Sequence, residues 1–248
     1  MGADGVERYF DVVIDLLSRL RESQRSAVAA AAAALAATVR AGGIVHLFGT
    51  GHSHMLAEEV FYRAGGLLAI NAMLDATVVL SGGAQRSTIT ERTPGAALAI
   101  ARRYDLRAGD AGIVISNSGR NPAPIEMARL MKDRGLTVIA LTSMAHSRAF
   151  APLPPHSDRL ADVADIVLDN GGAVGDAALR VEGVPHPVGP TSTIAGAVLL
   201  QAIVIGAMER LVAAGVPVVN LPSGNVEGAD LTAVAEELER VRGRVRHW

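Results

Sequence analysis

An α/β fold built on one doubly wound, mostly parallel sheet follows from three features of this 248-residue chain. Short β-branched runs alternate with stretches of helical period, the pattern of strand and crossover helix. Their connections are turns of Gly, Ser, Thr and Asn. Half of the residues are hydrophobic but only 3% are aromatic, so the core is made of Ala, Val, Leu and Ile. Such a core suits parallel strands covered on both faces by small-residue helices.

The amino-terminal stretch, residues 6–40, reads as one long helix or two helices with a break, with Phe10, Val13, Ile14 and Leu17 on one stripe. A helix ahead of the first strand cannot belong to a crossover unit, so it covers an exposed face or reaches a second subunit. Residues 44–48 are the first strand, followed by Gly49-Thr-Gly-His-Ser-His54 and a helix that Gly65-Gly66 ends. The next strand spans residues 67–72. Residues 78–92 are polar and without period, which predicts a surface loop over a site. Residues 94–104 form a short helix.

The central motif runs from Gly112 to Met131. Ile113, Val114 and Ile115 form a strand buried on both faces, and after Gly119 the period turns helical, with Asn121 at the cap and Pro122 at the first helical position. Ser116, Ser118 and Asn121 supply small polar groups, Gly119 lets the backbone approach a ligand, and the helix aims its unpaired N–H groups at the same spot. That combination suits an anion, although Ser and Asn also cap helices with no ligand involved.

Residues 136–141 and 163–168 read as further strands, with an irregular Pro152, Pro154, Pro155 segment between them. Residues 169–188 form a long Gly-, Asp- and Pro-rich excursion. It leads to Gly189-Pro-Thr-Ser-Thr193, a third hydroxyl cluster, which opens an apolar helix to Ala213. Residues 216–221 are a candidate last strand, and Asp230 caps a charged closing helix that ends at Arg242. No internal repeat of fixed period is present. In a doubly wound sheet, turns after successive strands meet at the carboxyl edge, so the turns at Gly49 and Ser116 can converge on one ligand.

Composition narrows the function. Net charge is −2 with no basic block, which argues against a nucleic-acid partner. The absence of Cys removes disulfides, thiol catalysis and thiolate metal sites and fits a reducing compartment. The start, Met-Gly-Ala-Asp-Gly-Val-Glu-Arg, carries no signal-peptide pattern, and Val6 stands where a myristoylation motif wants Ser or Thr. Residues 27–39 and 194–208 are apolar, but the first run is short and Ala-dominated. The second contains Gln201 and meets Glu209-Arg210, so both are expected as core or interface helices rather than membrane spans. The expectation is a cytoplasmic protein with no membrane partner.

In order along the chain, Gly-Thr-Gly-His-Ser-His, Ile-Ser-Asn-Ser-Gly-Arg-Asn and Gly-Pro-Thr-Ser-Thr closely resemble the three loops of the sugar isomerase (SIS) phosphosugar-binding domain, over roughly residues 44–208. The pattern also resembles a phosphoheptose isomerase-like SIS subgroup. The resemblance implies a flavodoxin-like three-layer α/β/α sandwich on a five-stranded sheet, extended by the long amino-terminal helix and usually dimeric. One SIS domain is expected over residues 1–248, with residues 1–41 as a helical extension, 42–216 as the core and 217–248 as a closing strand, turn and helix.

The resemblance also implies a phosphate held by Gly51 and Ser53, by Ser116, Asn117, Ser118, Gly119 and Asn121, and by Thr191, Ser192 and Thr193. Asn121 departs from the Thr common in the family motif, but its amide still donates. A homodimer or higher homo-oligomer and a phosphorylated sugar are the expected partners.

Catalysis transfers less directly. Aldose–ketose isomerisation needs a base to move a proton between C1 and C2 and an acid or base to open the ring. In phosphoheptose isomerases the base resembles a glutamate ten residues beyond the loop serine, where this chain has Arg63. Glu59, His52, Glu58 and His54 are the catalytic candidates, and Glu91, Glu126, Asp176, Glu182 and His186 are further acid or base groups. Each is also an ordinary helix-surface or turn residue. No organic cofactor and no metal is expected, since no His, Asp or Glu spacing is specific for a metal and His52 and His54 alone make a weak pair.

Two other functions fit less well. A phosphosugar sensor without catalysis shares the same loops, but a DNA-reading helix is missing from the sequence. A nucleotide-binding oxidoreductase would use the Gly-x-Gly turn. However, His54 replaces its last glycine and no acidic residue closes the next strand before Asp75.

Overall fold

The computed structural model describes residues 4–228 and 230–247. Met1, Gly2 and Ala3, on which part of the amino-terminal reading rests, lie outside them. In chain order the helices are α1 (Gly5–Ser23), α2 (Arg25–Arg40), α3 (His54–Val60), α4 (Ala84–Glu91), α5 (Ala96–Ala101), α6 (Pro122–Asp133), α7 (Met144–Ala149), α8 (Leu160–Val163), α9 (Ser192–Ala213) and α10 (Thr232–Val241). The strands are β1 (Val45–Gly49), β2 (Ile70–Ala72), β3 (Ala111–Ile115), β4 (Thr137–Thr142) and β5 (Ile166–Asp169). All pair in parallel, in the order β2-β1-β3-β4-β5.

Alternation along the strands sorts the two faces. Val45, Leu47, Ile113, Ile115, Ile139 and Leu141 pack under α1, α2, α3 and α9. Phe48, Val114, Val138 and Ala140 pack under α5, α6 and α8. The result is the expected three-layer sandwich. Strand order reverses between β1 and β3, and the chain leaves β1 towards one face through α3 but β3 towards the other through α6. A crevice therefore opens between the first and second turns at the carboxyl edge.

α9 is long and apolar enough by composition to cross a membrane. Instead, Ala195, Leu199, Leu200, Ile203, Val204 and Ala207 bury it in the core, along α2 and α3.

Two expectations need correction. Residues 84–91, expected as loop, are α4; only Ser87 of its side chains is buried, so an apolar stripe was absent from the sequence. Residues 216–221 do not join the sheet. They make one antiparallel bridge, Leu67 to Asn220, flanked by Gly65 N–H to Leu221 O at 2.7 Å, and Pro217 has no N–H to give a ladder.

The amino edge of the sheet closes around a carboxylate. Asp110, 2% exposed, accepts from the backbone N–H groups of Ile44 (2.9 Å) and Arg107 (2.9 Å), from Arg244 Nη2 (2.6 Å) and from His46 Nε2 (3.2 Å). Beyond it, Arg246 N–H donates to Asn71 Oδ1 at 3.0 Å, which turns the Asn71 amide nitrogen to His46 Nδ1, also at 3.0 Å. Nδ1 is thus the acceptor and the ring proton sits on Nε2. Burial pushes the Asp110 carboxyl up, but the hydrogen bonds from His46, Ile44, Arg107 and Arg244 outweigh it and bring its pKa down to about 2.

Candidate functional site at the carboxyl edge

The first turn is shaped by a close backbone approach. A Cβ on Gly49 would lie 2.5 Å from the Ser53 carbonyl oxygen, so only glycine lets the chain fold back there. Gly51 N–H is shared between the Val78 carbonyl and the Ser87 hydroxyl, both at 3.0 Å. One turn further along α4, Glu91 Oε2 accepts from Thr50 Oγ1 at 2.8 Å. The segment read as a loose loop is therefore a polar brace on the first turn. Among the described residues, the Ser53 hydroxyl and the exposed His52 imidazole have no partner.

The second turn spends some of its groups on its own shape. Ser116 Oγ accepts from Gly119 N–H at 3.1 Å, and Gly119 holds φ at +57° with Thr142 Oγ1 and Ser147 Oγ packed behind it. Asn117 Oδ1 accepts from Asn170 at 2.9 Å, tying this turn to the one after β5. The rest stays unspent. Prolines at 122 and 124 remove two donors from the first turn of α6, and Asn121 makes no side-chain cap bond. The backbone N–H groups of Asn117, Ser118, Arg120, Asn121 and Ala123, the Ser118 hydroxyl and the Asn121 side chain have no partner among the described residues. Converging N–H groups at a helix start present positive potential to an anion.

The third cluster is arranged differently from the expectation. Asp176, at φ +55°, places its carboxylate on the start of α9. Oδ1 accepts from Thr191 N–H (3.2 Å) and Ser192 N–H (2.9 Å), and Oδ2 from Ser192 Oγ (2.5 Å). The N–H groups of Thr191 and Ser192 and the Ser192 hydroxyl are thus engaged by the chain itself, while the Thr193 side chain has no partner among the described residues. The cluster still adjoins the second turn: a Cβ on Gly172 would sit 3.7 Å from Thr191 Oγ1 and 3.8 Å from Asn117 Oδ1.

The catalytic candidates scatter. Glu58 is half exposed, 3.7 Å from His54 Nε2, and His54 is buried with Nδ1 on the Gly51 carbonyl. Glu59 pairs with Arg63 at 3.3 Å and accepts from Gln201 at 3.4 Å. Gln201 is the tenth residue of α9, about 13 Å along the helix from its start. Glu126 accepts from Gly95 N–H and pairs with His156 at 3.1 Å. Glu182 and His186 are exposed. No group of three or more His, Cys, Asp or Glu able to hold a metal occurs among the described residues. The sequence missed the brace from Ser87; its one signal was a hydroxyl and a carboxylate four apart, Ser87 and Glu91, in a stretch otherwise free of pattern.

The model of the SIS domain family matches residues 8–143, more than half of the chain. The chain belongs to the SIS-domain family. A UPF0309 protein of Listeria innocua is 41% identical to this SIS-domain protein over 225 residues, 91% of each chain. A UPF0309 protein of Brucella ovis is 42% identical over 241 residues, 97% of this chain and 98% of its own. Among solved structures, a phosphoheptose isomerase from Francisella tularensis superposes with a TM-score of 0.56 at 15% identity, covering 82% of this chain and 96% of its own. The phosphoheptose isomerase GmhA from Neisseria gonorrhoeae gives 0.52 at 21% identity, with 82% and 97% covered. At such identities the likeness establishes a shared fold.

Proposed function

We propose that this SIS-domain protein binds a phosphorylated sugar at the carboxyl edge, between the first and second turns, and interconverts its aldose and ketose forms by enediol proton transfer. The observation that carries the reading is the set of donors without a partner among the described residues there: five backbone N–H groups, the Ser118 hydroxyl and the Asn121 side chain on the second turn, with the Ser53 hydroxyl on the first. A phosphate dianion accepts many hydrogen bonds at once, which matches a cluster of donors of this kind. Membership of the SIS family and the shared fold with phosphoheptose isomerases support the sugar phosphate and the isomerisation. Moving a proton between two carbons calls for no redox cofactor.

Glu58 and Glu59, half exposed and ion-paired respectively, favour a second reading in which the protein binds a sugar phosphate without turning it over. A panel of aldose and ketose phosphates, followed by thermal shift and by NMR of the equilibrated mixture, decides between the two. Stabilisation with interconversion supports the isomerase, stabilisation alone supports the binding module, and neither effect overturns both.

We also propose a cytoplasmic homodimer. Val6, Phe10 and Ile14 line one exposed stripe of α1, and Val198, Ile205 and Val212 lie exposed on α9. Between the helices runs a groove of about 520 Å³ lined by Leu17, Leu20, Val28, Val198, Leu199 and Ala202. Burying these side chains in a symmetric contact removes a large apolar patch from water. Sedimentation of the protein at micromolar concentration as a monomer overturns this assignment.

A further inference from the structure

We infer that Glu91 is the general base of the proposed isomerisation, held in place by Thr50; the inference rests on the isomerase reading of the carboxyl edge. Among the acidic candidates, Glu126 and Asp176 are saturated by backbone donors or a histidine. Glu59 is bound on the flank of α9 to Arg63 and Gln201. Glu58 points to solvent beside His54, and Glu182 is exposed.

Glu91 differs from all of these. Its side chain is 17% exposed, its carboxylate touches the first turn directly, and Thr50 Oγ1 is its one hydrogen-bond donor among the described residues. The other oxygen, Oε1, has only Arg92 Nη1 at 3.9 Å. A carboxylate oriented by one hydroxyl, with no hydrogen-bond donor on its second oxygen among the described residues, has a lone pair free to meet a substrate C–H.

Position agrees with chemistry. α4 is clamped to the first turn by Ser87 as well as Glu91, and it packs against α6, whose start is the second turn. Glu91 therefore sits on the wall of the crevice that opens between the two turns. With a phosphate anchored on the second turn, the carbon chain of an open aldose phosphate runs into that crevice.

Glu91 removes the proton on C2; the C2–H electron pair becomes the C1=C2 bond and the carbonyl π pair moves onto O1, which takes up a proton. The enediol then gives its O2 proton to water, the O2–H pair becomes the C2=O bond, and the C1=C2 pair takes onto C1 the proton that Glu91 removed from C2. No electron leaves the substrate. Thr50 keeps one carboxylate oxygen fixed through both transfers and acts as a positioning residue.

The test follows exchange of the C2 hydrogen with deuterium in D2O by proton NMR, on aldose phosphates of five to seven carbons including ribose 5-phosphate, glucose 6-phosphate and glucosamine 6-phosphate. It compares wild type, Glu91→Gln, which still accepts from Thr50, and Thr50→Val. Glu91→Gln is expected to lower exchange at least 1,000-fold while its melting temperature and its stabilisation by the same sugar phosphate stay within experimental error of wild type. Thr50→Val is expected to lower kcat about tenfold with KM unchanged, and Thr50→Ser to restore it.

Should Glu91→Gln unfold, Glu91→Ala regaining exchange on addition of formate supports the base assignment. Exchange by Glu91→Gln at the wild-type rate overturns Glu91 and leaves the isomerase reading standing. No exchange by wild type on any member of the panel overturns both.

Discussion

The two edges of the one sheet treat polar side chains in opposite ways. At the amino edge, Asp110, His46, Asn71 and Arg244 engage one another and the backbone, and the Asp110 carboxylate alone gathers four donors. At the carboxyl edge, the second turn leaves five N–H groups, a hydroxyl and an amide side chain without partners among the described residues. Buried polar groups that find partners within the chain act as structure, whereas groups held open by a rigid turn are kept for something outside it. The contrast separates stability from binding, and substitutions at each edge are expected to move one and spare the other.

The largest effect belongs to the amino edge. Asp110→Ala takes the acceptor from two backbone N–H groups and from His46 Nε2 and leaves Arg244 with Asp105 alone, and it is expected to cost about 3–5 kcal/mol of stability, read from urea unfolding. Its folded fraction should bind sugar phosphate as wild type does. At the carboxyl edge, Ser118→Ala and Ser53→Ala are each expected to weaken sugar-phosphate binding by about 1–3 kcal/mol, the loss for a hydrogen bond to a charged group, with the urea midpoint unchanged. Loss of stability in either serine variant breaks the division.

Acid sharpens it. With its folded pKa near 2, below its ordinary value of 3.8, Asp110 stabilises the fold fully above about pH 4, and that contribution of about 2 kcal/mol is lost as pH falls through 2. Urea midpoints measured between pH 5 and pH 2 should therefore fall more steeply in wild type than in Asp110→Asn. The smallest effect concerns Ser147, whose buried hydroxyl packs behind Gly119 with no partner among the described residues. Ser147→Ala relieves an orphaned polar group and is expected to raise stability by up to about 1 kcal/mol, by the same assay.

Local signals carried most of the fold. The β-branched run 113–115, Gly119, Asn121 and Pro122 marked β3, its turn and the start of α6, because strand burial, a positive φ and helix entry each leave a residue-level trace. α4 left none, since it is held by Ser87 and Glu91 bonding to the first turn rather than by an apolar face. The valine-rich run at 216–221 read as a strand, yet its partner is the turn at 65–67 and not the sheet. The hydroxyl clusters were legible as polar turns after strands, but nothing local to Thr191–Thr193 disclosed that Asp176, fifteen residues before Thr191, would bond to them. Contacts between distant polar residues carry no period, and they are what the sequence withheld.

The carboxylate seated on the start of α9 occupies donors that a dissolved anion would otherwise meet. A tethered anion is present at a fixed and high effective concentration, so a dissolved one competes for those N–H groups at a standing disadvantage. Of the starts of α6 and α9, the first keeps its donors open, while on the second Asp176 takes Thr191 N–H, Ser192 N–H and the Ser192 hydroxyl. If a sugar phosphate binds as proposed, its phosphate is expected at α6, with the carbon chain directed away from it.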